Sequence, residues 1–176
     1  MKSNIALIGF MGSGKSSVGK RLARRLGRDF LETDRLVEEA AGATIADIFR
    51  ESGEGAFREL EAGVIKNIGL TARNAVIACG GGIITRPENL ENLKRDTTII
   101  YLKTGVEELQ ERLAHSRRRP LLERPDREKF IRELIADREP LYRAAADITV
   151  GTGRRSFTAV VDEIISRLEL HESHHR

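Results

Sequence analysis

The residues Gly9-Phe10-Met11-Gly12-Ser13-Gly14-Lys15-Ser16 fit the pattern G-x-x-x-x-G-K-[ST] at every fixed position. Glycines let consecutive backbone N–H groups turn inward as a nest for an anion. A helix that follows adds its unpaired N–H groups and the positive end of its dipole. Lys15 is expected to reach the β- and γ-phosphates of a nucleoside triphosphate. The Ser16 hydroxyl is expected on Mg²⁺, a hard ion that keeps oxygen ligands and waters. Gly12, Ser13, Gly14, Lys15, Ser16 and Ser17 are therefore the candidate nucleotide-binding residues. A chance match on a glycine-rich turn is the bland alternative. It is disfavoured by the context, an apolar strand before the motif and an amphipathic helix after it.

Phosphoryl transfer also needs a metal shell and a group to orient the attacking oxygen. Glu32-Thr33-Asp34 follows a second short strand, and acids spaced i, i+2 at a strand end point to one side of the sheet. Asp34 could alternatively be an ordinary N-cap for a helix at 35–40, and the two roles are compatible. The strands at 75–79 and 97–102 end without the Asp that often helps hold Mg²⁺ in ATPases. No N-K-x-D segment is present to read guanine. Arg58 lies in Gly53-Glu54-Gly55-Ala56-Phe57-Arg58-Glu59, where it could be a plain surface arginine. Gly80, Gly81 and Gly82 directly follow a strand and would let a ligand approach the backbone closely. Cys79 before them reads as a small buried hydrophobe. Arg117-Arg118-Arg119-Pro120-Leu121-Leu122 is too short and too poor in aromatics for a nucleic-acid patch. A mobile lid that carries arginines to the γ-phosphate explains it better.

These residues need elements to position them. Apolar runs at 4–9, 30–33, 75–79, 97–102 and 147–150 read as short buried strands. Helices are expected at 15–26 with Gly27 as the stop, at 35–40, from a Thr44/Asp47 capping box onward, and at 52–67. Further helices are expected at 87–94, 106–115, 127–139 (ending before Pro140) and 157–170, with a frayed tail at 171–176. Strands alternating with helices argue for an α/β fold with a parallel sheet covered on both faces. Gly9, Asp34, Gly80 and Lys103 all follow strands, so the chemistry should gather along one edge.

The chain has 176 residues, 30 Lys+Arg against 27 Asp+Glu, and a formal charge of +3. The basic residues are 23 Arg and 7 Lys. Arg suits phosphate and carboxylate oxygens, but most of these are expected to be surface charge. The mild balance does not imply nucleic acid. No apolar run approaches the ~20 residues of a membrane span, and the opening residues do not form a signal peptide. One cysteine excludes an internal disulfide and a Cys-based zinc cluster. A cytoplasmic protein is expected. The histidines at 171, 174 and 175 lack a partner acid and read as solvated tail.

From the GFMGSGKS motif to the last helix, the whole chain resembles the shikimate kinase family. The resemblance rests on that motif, the acids after strand two, and G-E-x-x-F-R at 53–58. It continues with the glycines at 80–82, R-P-L-L at 119–122 and R-x-P-L-Y at 138–142. It implies phosphate transfer from ATP to the 3-hydroxyl of shikimate, on the route to aromatic amino acids. It also implies a three-layer α/β sandwich whose five-stranded parallel sheet has the order 2-3-1-4-5, with a mobile lid. One P-loop kinase domain at 1–170 would hold an acceptor-binding segment at about 34–62 and a lid at about 113–125.

Carried over by position, Asp34 would bind the shikimate hydroxyls and polarise the attacking one. Arg58 and Arg138 would clamp the carboxylate. Gly80, Gly81 and Gly82 would lie against the ring, and Phe49 and Phe57 would line the apolar side. Arg119 would be the lid arginine on ATP, and Arg112 and Arg155 would flank the adenine. Ser16 and Glu32 would serve Mg²⁺. The family usually has Asp at the position of Glu32; a water-mediated role survives the change, but the reach differs. ATP and shikimate are the expected partners of a monomer. Open alternatives are a related small-molecule kinase, such as a gluconate kinase, and an ATP-gated binding protein that uses the P-loop as a switch.

Overall fold

The structure, a computed structural model, describes residues 2–114 and 122–173. Five parallel strands form one sheet: β1 (Asn4–Ile8), β2 (Asp29–Glu32), β3 (Ala75–Ala78), β4 (Thr97–Lys103) and β5 (Ile148–Gly151). Their order is β2-β3-β1-β4-β5, as expected. The register sets Ile5 beside Val76 and Thr98, and Phe30 beside Val76.

The helices are α1 (Lys15–Leu26), α2 (Thr33–Ala41), α3 (Ile45–Thr71), α4 (Pro87–Lys94), α5 (Val106–Ala114), α6 (Arg127–Ala145) and α7 (Phe157–Ser173). Strand periodicity divides the core. Ile5 and Leu7 point to one face, where they pack with Val18 and Leu22 of α1 and Val160 and Ile164 of α7. Ala6 and Ile8 point to the other, against Ile65 of α3, Leu93 of α4, Leu109 of α5 and Ile135 of α6. These are the three layers. A smaller cluster of Val37, Ile48 and Phe57 joins α2 to α3.

α1 spans the expected residues and stops on Gly27, whose φ of 62° favours glycine. Thr44 caps α3 by accepting from the Asp47 N–H. The helical run continues to Thr71 but breaks at Gly53, where φ is 81° and ψ 175°. The break re-aims the part of α3 that carries Arg58 and Glu61.

Three expectations are corrected. α6 does not end before Pro140 but runs through it to Ala145. Proline removes one helical bond and crowds the preceding turn, but Ile135, Arg138, Tyr142 and Ala145 stay buried along one stripe. That packing carries the helix across the defect. Asp34 is not the cap of α2. Glu32 holds that position, and Asp34 lies in the first turn. α7 continues three residues past the expected end, to Ser173. Residues 115–121 lie outside the described residues. So do His115, Arg117, Arg118 and Arg119, together with most of the expected lid.

Candidate active site

The loop after β1 is bent by necessity. Gly9 has φ of 151°, and a Cβ there would lie 2.8 Å from the Leu102 carbonyl oxygen. Gly12 and Gly14 have φ of 82° and 92°, the region that disfavours side chains. At Gly14 a Cβ would also come 2.9 Å from the Phe157 ring. Lys15 folds back over this loop and donates to the carbonyls of Gly9 and Phe10, each at 2.8 Å. Ser16 donates to the Glu32 carboxylate. The hydroxyl and carboxylate expected at the metal are thus in contact.

A cavity of about 560 Å³ opens beside the loop. Its lining joins Gly12, Gly14, Lys15, Ser16 and Ser17 with Glu32, Asp34, Gly80 and Gly81. Arg112, Arg155, Ser156 and Phe157 close the far end. Arg112 donates to the Gly12 carbonyl at 3.0 Å and pairs with Glu108. Arg155 is held by the Gly151 carbonyl at 2.9 Å and by Glu163 at 2.5 Å. Ser13 is buried in the turn and donates its N–H to the Phe10 carbonyl at 3.2 Å.

Arg58, Arg138, Gly82, Phe49 and Phe57 are not part of that lining. Arg58 lies against Gly82, Phe57 packs with Phe49, and the Arg138 guanidinium lies 6.0 Å from the Phe10 ring. The Gly80 N–H donates to Thr33 Oγ1 at 2.8 Å. A Cβ on Gly80 would sit 2.8 Å from both Asp34 Oδ1 and Glu61 Oε2. Arg58 donates to Glu61 at 2.8 Å and to Glu54 at 3.3 Å, and it lies 5.1 Å over the Phe57 ring. Phe49 and Phe57 have ring centroids 5.0 Å apart. Arg138 is only 6% exposed, and its Nε has no partner. A buried, unsatisfied guanidinium N–H is a donor in want of an acceptor. Arg119 lies outside the described residues.

Glu61 and Phe157 were not singled out by sequence. Glu61 stands three residues after Arg58, a helical-pair spacing that could have flagged it. Nothing local marks Phe157, because its contact with Gly14 is long-range. Glu61 is 1% exposed, and its Oε2 has no partner. Burial raises its pKa above the ordinary 4.5, and Arg58 offsets part of that rise. Such a carboxyl holds more protons folded than unfolded, so it makes stability fall as pH rises from about 4.5 through the raised value. In Glu61→Gln this component should vanish. The stability gap, wild type minus variant, should shrink with rising pH across that window in urea titrations. A gap independent of pH would contradict it. Cys79 is fully buried and its thiol is pushed up to about 12, consistent with an inert hydrophobe.

Gly82 gives a second test. A Cβ there would lie 2.2 Å from Arg58 Nη1, so Arg58 must move. Gly82→Ala should raise the KM for a carboxylate acceptor about tenfold, close to 1.4 kcal/mol, with the KM for nucleotide unchanged. Equal changes in both would contradict the placement of Arg58.

A glycine-bent phosphate nest at the end of β1, opening into the same cavity as Asp34, defines a P-loop phosphotransferase of the α/β class. The shikimate kinase family model matches residues 11–169. Shikimate kinase of Symbiobacterium thermophilum is 48% identical over 168 residues, covering 94% of this chain and 96% of the relative. That of Dehalococcoides mccartyi is 43% identical over 172 residues, covering 98% and 97%. The solved Acinetobacter baumannii shikimate kinase in complex with shikimate superimposes with a TM-score of 0.90 at 38% identity, over 94% of this chain and 92% of that one. The Aquifex aeolicus enzyme gives a TM-score of 0.82 at 38% identity, over 94% and 96%. The chain belongs to the shikimate kinase family.

Proposed function

We propose that this chain transfers the γ-phosphoryl group of ATP to the 3-hydroxyl of shikimate, giving shikimate 3-phosphate on the route to chorismate and the aromatic amino acids. The family membership supports the reaction. The observation that carries the site reading is that Lys15, Ser16 and Asp34 line one cavity. A phosphate held by the nest and an acceptor hydroxyl on Asp34 could then meet in line.

The roles follow from chemistry and position. The Gly12–Ser17 backbone binds the phosphates, and Lys15 leaves the loop carbonyls to follow the transferring charge. Arg112 and Arg155 hold the nucleotide's base end of the cavity, where the planar guanidinium can stack on a ring. Asp34 orients the attacking hydroxyl. Arg58 and Arg138 hold the acceptor carboxylate, an assignment supported by the unpaired Nε of Arg138. Gly80, Gly81 and Gly82 leave room for the ring, with Phe49 and Phe57 on its apolar side. Arg119 is the lid arginine on ATP by its place in the R-P-L-L motif.

Mg²⁺ is the metal ATP chemistry implies, and the donor set fits it. Ser16 and Glu32 offer two hard oxygens in contact, and the described residues contain no larger acid or histidine cluster. Such a set leaves most positions to phosphate oxygens and water, which suits Mg²⁺. Bound there, it would neutralise charge on the β- and γ-oxygens. Glu32 would act on it through water. Proton removal need not precede transfer, because a loose transition state lets the hydroxyl keep its proton late. Asp34 therefore acts first as an orienting group.

We read residues 1–170 as one kinase domain with its acceptor segment at 34–62 and its lid at 113–125. It works as a monomer and in the cytoplasm. Among the described residues no helix is long and apolar enough to cross a membrane. The test is ADP release from ATP–Mg²⁺ with shikimate, gluconate, a nucleoside monophosphate or no acceptor. Strong stimulation by shikimate alone is expected. Stimulation by gluconate instead, or by none, would overturn the acceptor assignment.

A further inference from the structure

We propose that Tyr142 is a positioning residue of this enzyme, its hydroxyl bridging the Arg138 guanidinium to the Gly81 carbonyl so that both are held for the acceptor. Arg138 and Tyr142 stand one turn apart on the same face of α6. The tyrosine ring is 1% exposed and stacked on Tyr101 of β4, with centroids 5.1 Å apart and planes 20° apart. This stack fixes where the hydroxyl sits. The hydroxyl donates to the Gly81 carbonyl, and Arg138, one turn back on the same helix face, is the charged group that acts on it most strongly. A hydroxyl has one O–H donor and two acceptor lone pairs, so it can serve a carbonyl and a guanidinium at once. Burial raises its pKa well above the ordinary tyrosine value, so it remains a neutral donor.

The consequence reaches both halves of the site. Gly81 packs against the phosphate loop: a Cβ there would lie 3.3 Å from the Met11 nitrogen and 3.5 Å from the Gly9 carbonyl oxygen. The bridge therefore ties an arginine on α6 to a backbone segment already seated on the P-loop. Without it, Arg138 loses an acceptor while its Nε already lacks one. The part-buried Gly81 carbonyl loses its donor. Phenylalanine keeps the ring stack and volume but can make neither bond, so it isolates the hydroxyl.

The inference rests on the reading of Arg138 as a carboxylate-binding residue. Steady-state kinetics with shikimate and ATP should be measured for wild type, Tyr142→Phe and Tyr101→Phe, alongside melting temperatures. Tyr142→Phe should raise the KM for shikimate about tenfold with the KM for ATP unchanged. Tyr101→Phe, which removes the hydroxyl from the other ring of the stack, should keep wild-type constants. A wild-type KM for shikimate in Tyr142→Phe would overturn the proposal. A fall in melting temperature with unchanged KM values would do the same, because it marks a merely structural hydroxyl. Equal KM increases in Tyr101→Phe would assign the effect to the stack and overturn it too. Failure of the wild type to use shikimate would show up first, in the parent protein, and would remove the acceptor reading together with this one.

Discussion

Lys15→Ala should lower kcat by about 10³-fold or more, with the melting temperature nearly unchanged. The ammonium lies on the Gly9 and Phe10 carbonyls at 2.8 Å, so in the resting site it already caps the dipoles of the loop it serves. Those bonds are part-buried, at the edge of the cavity that Lys15 lines. α1 begins at this residue and is anchored by Val18, Leu22 and Ala23 in the core, none of which the substitution touches. What is lost is a positive charge that strengthens its contacts as charge builds on the transferring phosphoryl group. Binding of ATP should weaken less than turnover, since the backbone nest and the helix end remain. Single-turnover phosphate transfer, read beside nucleotide binding, separates the two. Transfer at wild-type rates would contradict the assignment of Lys15.

Asp34→Asn should lower kcat about 10²- to 10³-fold, the range for a positioned acid–base group. Asn keeps the size and one acceptor oxygen but removes the charge. Asp34→Ala should remove the orienting contact as well, and so add a rise in the KM for shikimate. If the Asn variant matches Ala in kcat, charge is what Asp34 supplies to the reacting hydroxyl. If Asn turns over like wild type, Asp34 neither orients through its charge nor accepts a proton, and the role fails. Asp34 Oδ1 would be 2.8 Å from a Cβ at Gly80, as would Glu61 Oε2. Two carboxyl groups thus face one glycine. Asp34 adds to the rise of the Glu61 pKa, so both variants should move the Glu61 titration to lower pH.

The parallel sheet was legible because buried strands such as Ile5-Ala6-Leu7-Ile8 carry no polar interruption and because helices alternate with them. α1 and α4 came out at the expected residues because local signals end them: Gly27 behind one, Pro87 at the front of the other. α6 did not, because Pro140 is a local stop signal overruled by packing on both sides of it. A sequence window sees the missing N–H; it does not see Tyr142 stacked on Tyr101.

The site divides along the same line. The phosphate nest, the candidate metal oxygens and the acid of the second strand could be named from spacing alone, since backbone geometry and helix dipoles act within one turn of chain. Gly80, Gly81 and Gly82 could be marked as a close-approach loop but not matched with what approaches. The tertiary structure supplied that. Arg58 lies against Gly82, Glu61 and Asp34 face Gly80, and Tyr142 reaches Gly81. Phe157 meets Gly14 across 143 positions of chain. Such contacts depend on where distant elements dock. The sequence by itself therefore determined the class of fold and the phosphate chemistry, while packing decided which side chains hold the acceptor's arginines and glycines in register.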